Sequence, residues 1–403
     1  MKILVLNAGS SSQKSCLYDV GETVLLDHPQ KPIWEATIDW TVSKEGGILT
    51  VNANEVEKEI HLGSDNQHQG VMTMLNTLIE GQTKVINDLT EITIVGHRVV
   101  HGGTNYSQAT IITSDVKAKI AQLIPLAPTH NPAHLQGMEI IEEILANVKQ
   151  VAVFDTAFHH QMPLEMAVYP LPYEWLEKGI RRYGFHGISH QYCATRAAKI
   201  LNKPLSSLKL ITCHLGNGCS LAAIKEGISI DTTMGFTPLE GLMMGTRSGS
   251  IDPAILIHLI KEYQLSPDEL NTMLNKESGL KGISGISADL RAIFQSIQEG
   301  NERAQLAFDM YIHRLRSQIG SMIASLGGLD ALIFTAGVGE NVALVRQKAC
   351  ETWEFLGLKI DQQKNESSAV DIDIAMADSS IRILVIHTEE DWVIAQECWQ
   401  LYQ

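Results

Sequence analysis

Short apolar runs alternate with longer helix-like stretches along the 403 residues of the chain. The runs lie at residues 3–6, 92–95, 151–154, 210–213, 331–334 and 383–386, and each ends in a Gly-rich or polar turn. Runs of this length are typical of buried strands, whereas 301–326 and 342–356 are long enough for helices. The alternation predicts an α/β architecture, in which ligands bind at the loops that follow the strands.

A faint internal repeat relates two of these strand–turn segments. Residues 3–13 can be aligned with residues 210–220, and each segment has an apolar strand followed by a turn with glycine at the same offset, Gly9 and Gly216. The repeat indicates two related domains that face each other across a central cleft. Chance similarity between two short segments is the alternative.

Length and charge narrow the class of protein. A chain of 403 residues exceeds what one hydrophobic core usually organises, so two domains are expected. The 46 acidic and 31 basic side chains give a net charge of −15, which argues against a nucleic-acid partner. An anionic substrate stays compatible with this charge, because a few convergent Arg and Lys side chains create a locally positive site.

Cysteine usage and hydropathy bear on location. The six cysteines form no CxxC pair, which favours reduced thiols and a cytoplasmic protein. The first apolar run is broken by Asn7, as in a strand rather than a signal peptide. No stretch of about 18 apolar residues is present, so no membrane association is expected.

Three glycine-rich turns follow predicted strands, at residues 7–14, 214–218 and 334–341. Small residues allow backbone N–H groups to approach an anion, and Lys14 adds a positive charge to the first turn. Neither G-x-x-x-x-G-K-[ST] nor G-x-G-x-x-G occurs, which excludes a P-loop and a dinucleotide fingerprint. Each turn alone is a weak signal, and an ordinary β-turn is its alternative. Together they favour a nucleotide ligand.

Arginine, histidine and aspartate side chains lie in the polar segments between these turns. Arg98, His130, Asp155, His186 and Arg247 each occupy a loop or the end of a predicted strand. Phosphoryl transfer to a carboxylate needs no strong base, because the nucleophile is already ionised. It needs positive charge and hydrogen-bond donors that screen the repulsion between two anions. These residue types meet that need, although any one histidine is more often structural.

Two segments, Leu6-Asn-Ala-Gly-Ser-Ser-Ser-Gln-Lys14 and Gly241-Leu-Met-Met-Gly-Thr-Arg-Ser-Gly249, make the chain closely resemble the acetate kinase family. The resemblance covers the whole chain and places it in the acetate and sugar kinase, Hsp70 and actin superfamily. It implies two actin-like (ribonuclease H-like) domains, 1–155 completed by a helix at 390–403, and 156–389, in a homodimer. It also implies direct in-line transfer of a phosphoryl group from ATP to acetate, giving acetyl phosphate and ADP, with Mg²⁺ or Mn²⁺.

The resemblance also assigns roles by position. Catalytic roles fall to Asp155, His186 and Arg247, with Asp155 positioning Arg98 or the nucleophile rather than acting as an obligatory base. The acid contacts Arg98, His130, Val100, Phe185 and Pro238, and the metal lies at Asn7 and Glu390. Nucleotide contacts are expected from Lys14, His214, Leu215, Gly216, Asn217, Gly218, Asp289, Leu290, Arg291, Gly337, Val338, Gly339, Glu340 and Asn341.

Three positions depart from the family pattern. Thr129 stands where leucine is more usual in the acid pocket, Ser250 replaces an aspartate, and Glu390 is preferred to Glu389 as a metal ligand only by alignment. Thr129 leaves open a propionate or other short-chain acyl kinase. An actin-like or Hsp70-like ATPase without an acyl acceptor is the alternative from another class, and it gives no reason for the separate Arg and His loops.

Overall fold

The computed structural model describes residues 1–9, 12–21, 28–43, 46–63, 67–128, 130–367 and 369–403. The chain forms two compact units, Met1–Ala157 with Glu389–Gln403, and Phe158–Thr388. Each unit combines one sheet of mixed strand direction with helices, which confirms the predicted α/β class. Among the described residues, none of the helices is both long and apolar enough to cross a bilayer.

The first unit contains an eight-stranded sheet in the order β5-β4-β3-β2-β1-β6-β8-β7. Its strands are β1 Lys2–Ala8, β2 Ser12–Asp19, β3 Trp34–Ser43, β4 Gly46–Ala53, β5 Val56–His61, β6 Ile92–Val99, β7 Thr110–Ile111 and β8 Lys149–Phe154. Its helices are α1 Gln67–Ile79, α2 Ser114–Gln122, α3 Asn131–Ile144 and the C-terminal α15 Glu390–Tyr402.

The second unit contains a six-stranded sheet in the order β11-β10-β9-β12-β14-β13. Its strands are β9 Lys209–Leu215, β10 Cys219–Lys225, β11 Ile228–Thr232, β12 Ala331–Thr335, β13 Ile372–Asp373 and β14 Arg382–Val385. Its helices are α4 Leu164–Ala167, α5 Glu174–Glu177, α6 Gly187–Ile200, α7 Pro253–Tyr263, α8 Pro267–Lys276, α9 Gly279–Ser284, α10 Leu290–Gln298, α11 Glu302–Leu326, α12 Ala336–Asn341, α13 Ala343–Cys350 and α14 Gln362–Glu366.

The two sheets share one strand pattern. In the first, β1 pairs antiparallel with β2 and parallel with β6, and β6 pairs parallel with β8. In the second, β9 pairs antiparallel with β10 and parallel with β12, and β12 pairs parallel with β14. The faint sequence repeat therefore falls on equivalent hairpins, β1–β2 and β9–β10, and is more than chance similarity.

Parallel pairing determines where functional side chains gather. Strands β1, β6 and β8 are buried along most of their length, as expected of parallel strands covered on both faces. Because their carboxyl ends lie at one edge of the sheet, the residues that end them become neighbours. The same holds for β9 and β12, whose ends carry the second and third glycine-rich turns.

The C-terminal helix α15 packs against the first sheet at a glycine. A Cβ atom at Gly96 on β6 would lie 2.6 Å from both Sγ of Cys398 and Cγ2 of Ile394. Only a residue without a side chain lets the helix approach this closely. Both helix residues are fully buried, so α15 is an integral part of the first unit.

We predict that Gly96→Ala lowers the stability of the protein by about 1–3 kcal/mol, because the added methyl group overpacks the contact with α15. Gly137→Ala is the matched control. A Cβ at Gly137 on α3 meets nothing within 4 Å, and alanine in a helix is favoured by about 0.5–1 kcal/mol over glycine. Urea denaturation followed by circular dichroism measures both. Equal midpoints for the two variants would contradict the close approach.

Candidate active site

Three predicted site residues meet at the carboxyl ends of the parallel strands in the first unit. Asn7 lies near the end of β1, Arg98 near the end of β6, and Asp155 directly after β8. Nε of Arg98 lies 3.1 Å from both carboxylate oxygens of Asp155, and Nη2 lies 2.6 Å from Oδ2. Nη1 of Arg98 donates to Oδ1 of Asn7 at 3.1 Å. The strand register thus brings together side chains that are far apart in sequence.

The Arg98–Asp155 pair is shielded from water. Asp155 is 1% exposed, and the Arg98 side chain is 16% exposed. Burial lowers the pKa of Arg98, but Asp155 and then Glu390 raise it, and the net pKa is above its usual value. The guanidinium is therefore charged at any physiological pH. Breaking such a buried pair by removing one partner typically costs about 3–5 kcal/mol.

Asp391, in the first turn of α15, extends this pair into a continuous row. Its Oδ1 accepts from Nδ2 of Asn7 at 2.9 Å, and its Oδ2 lies 2.8 Å from Nζ of Lys14. Sγ of Cys16 lies 3.6 Å from the same Oδ2. We call Lys14, Asp391, Asn7, Arg98 and Asp155 the charged row. Sequence reasoning missed Asp391, although a second acidic residue at a helix start was a usable signal.

Arg98 keeps donors for a ligand. A guanidinium has five N–H groups. Arg98 uses three of them, two on Asp155 and one on Asn7, which leaves one on each terminal nitrogen. Two N–H groups on neighbouring nitrogens match the two oxygens of a carboxylate. Asp155 and Asn7 hold the plane of the guanidinium, so the arrangement is suited to binding a small acid.

The donors available for a divalent metal are few. Among the described residues, no group of three Asp, Glu, His or Cys side chains is arranged to hold an ion. Mg²⁺ usually binds through one or two protein oxygens and completes its shell with substrate phosphates and water. Oδ1 of Asn7 has a second lone pair beyond the one used by Arg98, and Glu390 begins α15. These residues fit an ion that is carried by a nucleotide.

A buried histidine that was not predicted, His134, lies beside β1 and β6. His130 precedes α3, and Val100, which follows β6, is buried. His134, which was not predicted, accepts from the N–H of Val100 and lies 3.0 Å from the carbonyl of Ala8. Burial lowers the pKa of His134 to about 4, so its neutral ring links the two strand ends. Thr129 lies outside the described residues.

A groove of about 560 Å³ lies in the second unit, at the glycine-rich turns. It is lined by Gly216, Asn217, Ala288, Asp289, Leu290, Arg291, Gly337, Val338, Asn341 and Val342. Eight of these residues were predicted as nucleotide contacts, whereas Ala288 and Val342 were missed. The volume is within the range of pockets that hold small ligands. We call it the glycine-lined groove.

Six predicted nucleotide contacts do not line this groove. Lys14 belongs to the first unit and is paired with Asp391. The carboxylate of Glu340 accepts from the N–H of Ala336 at 2.8 Å and lies 2.6 Å from Nδ1 of His387, so it stabilises the turn from within. The others are His214, Leu215 and Gly339, which are buried, and Gly218, which is partly exposed.

Arg247 and His186 converge on Gly218, beside the glycine-lined groove. A Cβ atom at Gly218 would lie 3.5 Å from Nη1 of Arg247 and 3.5 Å from Nε2 of His186. His186 adopts a left-handed backbone conformation, φ 57°, at the start of α6, and its ring stacks on that of His214 with centroids 4.1 Å apart. Two nitrogen-bearing side chains thus lie next to one location beside Gly218.

Arg247 is a half-buried cation without a carboxylate. Its Nη1 donates to the carbonyl of Pro238 at 3.0 Å, and none of its contacts within the described part of the chain is an ion pair. Burial lowers the pKa of Arg247, although a guanidinium remains charged. The N–H of Gly241 donates to Oγ of Ser250 at 3.0 Å, which closes the loop that carries Arg247. The φ of Gly241 is 105°. A desolvated, unneutralised cation favours an anionic ligand.

Phe185, one of the predicted contacts of the acid, is fully buried.

Comparisons with known proteins agree with this geometry. A profile of the Acetokinase family matches residues 2–396. An acetate kinase of Rippkaea orientalis is 72% identical over 398 residues, which cover 99% of this chain and 98% of the relative. The chain belongs to the acetokinase family.

Solved structures support the same assignment. The acetate kinase of Porphyromonas gingivalis is 40% identical, with a TM-score of 0.90 and full coverage of both chains. The propionate kinase of Francisella tularensis subsp. tularensis is also 40% identical, with a TM-score of 0.90 and 99% coverage of both chains. The predicted family and the predicted class of enzyme, a phosphotransferase with a carboxyl acceptor, are confirmed.

Proposed function

We propose that the chain transfers a phosphoryl group reversibly from ATP to acetate, giving acetyl phosphate and ADP. A carboxylate oxygen of the acid forms the new O–P bond while the bond to the leaving oxygen of ADP breaks, in line and without a phosphoenzyme. The single observation that supports this best is a pair of partly buried arginines: among the described residues, Arg98 has two donors to spare and Arg247 has no anionic partner. Each suits one of the two anions that must react.

Arg98 binds the acid in this proposal. Its two remaining N–H groups accept the carboxylate, while Asp155 and Asn7 hold the guanidinium in place. Asp155 accepts from Arg98 through both carboxylate oxygens, so in this proposal it positions the arginine and removes no proton. No general base is needed, because the acid is ionised at neutral pH. We also propose that the acid contacts His130, Val100, Phe185 and Pro238.

Arg247 and His186 stabilise the group in transfer. Charge spreads over the equatorial oxygens of the transferring phosphoryl group, and donors fixed in advance stabilise it without reorganising. The space beside Gly218 is the location that both side chains face. Removing one such donor typically lowers kcat by about 10²–10³.

The nucleotide occupies the glycine-lined groove. Backbone at Gly216 and Gly337 can approach a flat ring or a phosphate closely. Arg291 lines the groove with a side chain that is 91% exposed and ion-paired with Asp289. Asn7 and Glu390 hold Mg²⁺ or Mn²⁺. When bound, the ion neutralises charge on the phosphates of ATP.

Acetate is our preferred acceptor, with propionate or another short acid as the alternative. The relative at 72% identity is an acetate kinase, whereas acetate and propionate kinases occur at equal identity among the solved structures. A hydrophobic pocket distinguishes one methylene by only about 10–200-fold. Thr129 is the position at which we expect this preference to be decided.

We further propose that the two units are the predicted domains, 1–155 with 390–403 and 156–389, and that the enzyme works in the cytoplasm. The six cysteines, all of them described, are buried and form no disulfide, which is usual in a reducing compartment.

We also propose a homodimer formed through α7. None of the residues of this helix is buried, and four large apolar side chains on it are 45–66% exposed: Ile255, Ile257, Ile260 and Tyr263. An apolar helix without a buried face usually contacts another chain. A second copy is the occupant we favour, because the same apolar surface on both copies forms a self-complementary interface.

Incubating the protein with MgATP, acetate and hydroxylamine is expected to give acetyl hydroxamate, because hydroxylamine traps acetyl phosphate. The ratio of kcat/KM for acetate and propionate measures the preference, and we expect acetate to be favoured. Hydrolysis of ATP without hydroxamate from any short acid would refute the kinase assignment and support the ATPase alternative. A ratio that favours propionate would correct the acceptor alone.

Arg98→Ala is expected to raise KM for acetate about 10–100-fold, as loss of charge-assisted hydrogen bonds does, with little change in KM for ATP. Arg291→Ala, in the glycine-lined groove, is expected to raise KM for ATP instead. Since Arg98→Ala leaves Asp155 unpaired, the double variant Arg98→Ala/Asp155→Ala provides a second test if the single variant is unstable. The same KM pattern in both arginine variants would overturn the assignment.

Sedimentation velocity is expected to give twice the 44.4 kDa mass of the chain. Ile257→Glu on α7 is expected to shift the protein to monomers, because a charge is buried in the interface. Phe355→Glu is the control, since Phe355 is 76% exposed but lies outside α7. Dissociation by both variants, or by neither, would argue against α7 as the interface.

A further inference from the structure

Behind His186 lies a buried chain of hydrogen bonds that the proposed reaction does not use directly. Nδ1 of His186 lies 2.8 Å from Oγ of Ser220, and the same Oγ lies 2.8 Å from Nε2 of His190. Nδ1 of His190 lies 2.6 Å from Oγ1 of Thr212. Thr212, His190 and Ser220 are all fully buried, on β9, α6 and β10. Two histidines are thus joined through one hydroxyl.

The charge of His190 limits how protons are arranged along the chain. Burial, followed by the neighbouring His159 and His214, lowers the pKa of His190 well below its usual value. The ring is therefore neutral at pH 7 and carries one N–H. It donates either to Ser220 or to Thr212, and it accepts from the other.

Thr212 decides between these two directions. Within the described part of the chain, its hydroxyl has one hydrogen-bond partner, Nδ1 of His190. If His190 donated to it, the buried hydroxyl proton of Thr212 would have no acceptor, at a cost of about 1–3 kcal/mol. Thr212 therefore donates to His190, and the N–H of His190 is on Nε2. Ser220 accepts this N–H and has its own proton left to donate to Nδ1 of His186.

Positive charge around His186 supports the same arrangement. Arg247 lies near Nε2 of His186, since both are 3.5 Å from a Cβ position at Gly218. His214 stacks on the ring at 4.1 Å, and Nδ1 of His214 is bonded to Ser189. An imidazolium at His186 is disfavoured by repulsion from the Arg247 guanidinium, which carries the like charge.

We propose that Thr212, His190 and Ser220 are positioning residues that hold His186 as a neutral imidazole with its proton on Nε2. The side chain then donates a hydrogen bond toward the location beside Gly218 without changing protonation during the reaction. This inference deepens the proposed role of His186. The effect of the tautomer on catalysis rests on that proposed role. The tautomer itself is a property of the free protein.

Nitrogen NMR of the full chain labelled with ¹⁵N-histidine, without substrates at pH 7, tests the tautomer. Spectra of His186→Gln and His190→Gln assign the two rings by subtraction. We expect a protonated Nε2 and an unprotonated Nδ1 for both. A proton on Nδ1 of His186, alone or as an imidazolium, would overturn the proposal, whatever the activity of the enzyme.

Kinetics of two Thr212 variants test the consequence. Thr212→Val keeps the shape but removes the hydroxyl, and Thr212→Ser keeps the hydroxyl but removes a methyl group. We expect Thr212→Val to lower kcat about 10–100-fold, as loss of a group that orients a functional histidine does elsewhere, with KM for both substrates unchanged. Thr212→Ser is expected to retain kcat. The reverse order would indicate a packing role and overturn positioning.

The two experiments separate the two hypotheses. Expected NMR patterns together with absent hydroxamate formation would refute the kinase assignment and leave the tautomer intact. A proton on Nδ1 of His186 in an active acetate-dependent kinase would refute the proposed role of Thr212, His190 and Ser220 and leave the kinase assignment intact.

Discussion

The partial burial of two arginine cations is the constraint on which the arrangement of the site depends. Arg98 is balanced by Asp155 at the end of β8, and it becomes part of the rigid framework of the first unit. Within the described part of the chain, Arg247 has no such partner, and it donates to the carbonyl of Pro238. Taking a charge out of water is costly unless an opposite charge is supplied. The charge of Arg98 is therefore balanced within the fold, and we infer that the charge of Arg247 is balanced by its substrate.

Both units position their functional side chains in the same way. A hairpin with a small-residue turn is followed by parallel strands, so that strand ends gather at one edge of each sheet. In the first unit this edge carries the charged row, and in the second it carries the glycine-lined groove. Histidines support these edges as neutral linkers. His134 joins the ends of β1 and β6, and His190 connects β9 to His186 through Ser220. Their burial keeps them uncharged, which suits a site whose ligands need fixed donors.

Much of the fold and part of the site could be predicted because the signals are local. The strands at 3–6 and 210–213 and the helix at 301–326 follow from hydrophobic periodicity and turn residues. The groove residues at 216–217 and 337–338 follow from glycine after a strand. Asp391 and Ser220 could not be predicted with the same argument, since their importance arises from partners that are remote in sequence. Residue type and spacing also could not show that the carboxylate of Glu340 contacts the N–H of Ala336 in its own turn and the ring of His387.

The sequence by itself determined the α/β class, the family, the class of reaction and the set of charged and glycine-rich loops, because these depend on residue type and local spacing. The tertiary structure decided which of those residues act on one another. Strand register pairs Arg98 with Asp155 and leaves Arg98 two donors, and the packing of α15 on the sheet brings Asp391 to Lys14. It also places His190 between two hydroxyls, where burial and the need to satisfy every proton set the direction of a hydrogen-bond chain. Contacts of this kind depend on desolvation and geometry, which no local pattern records.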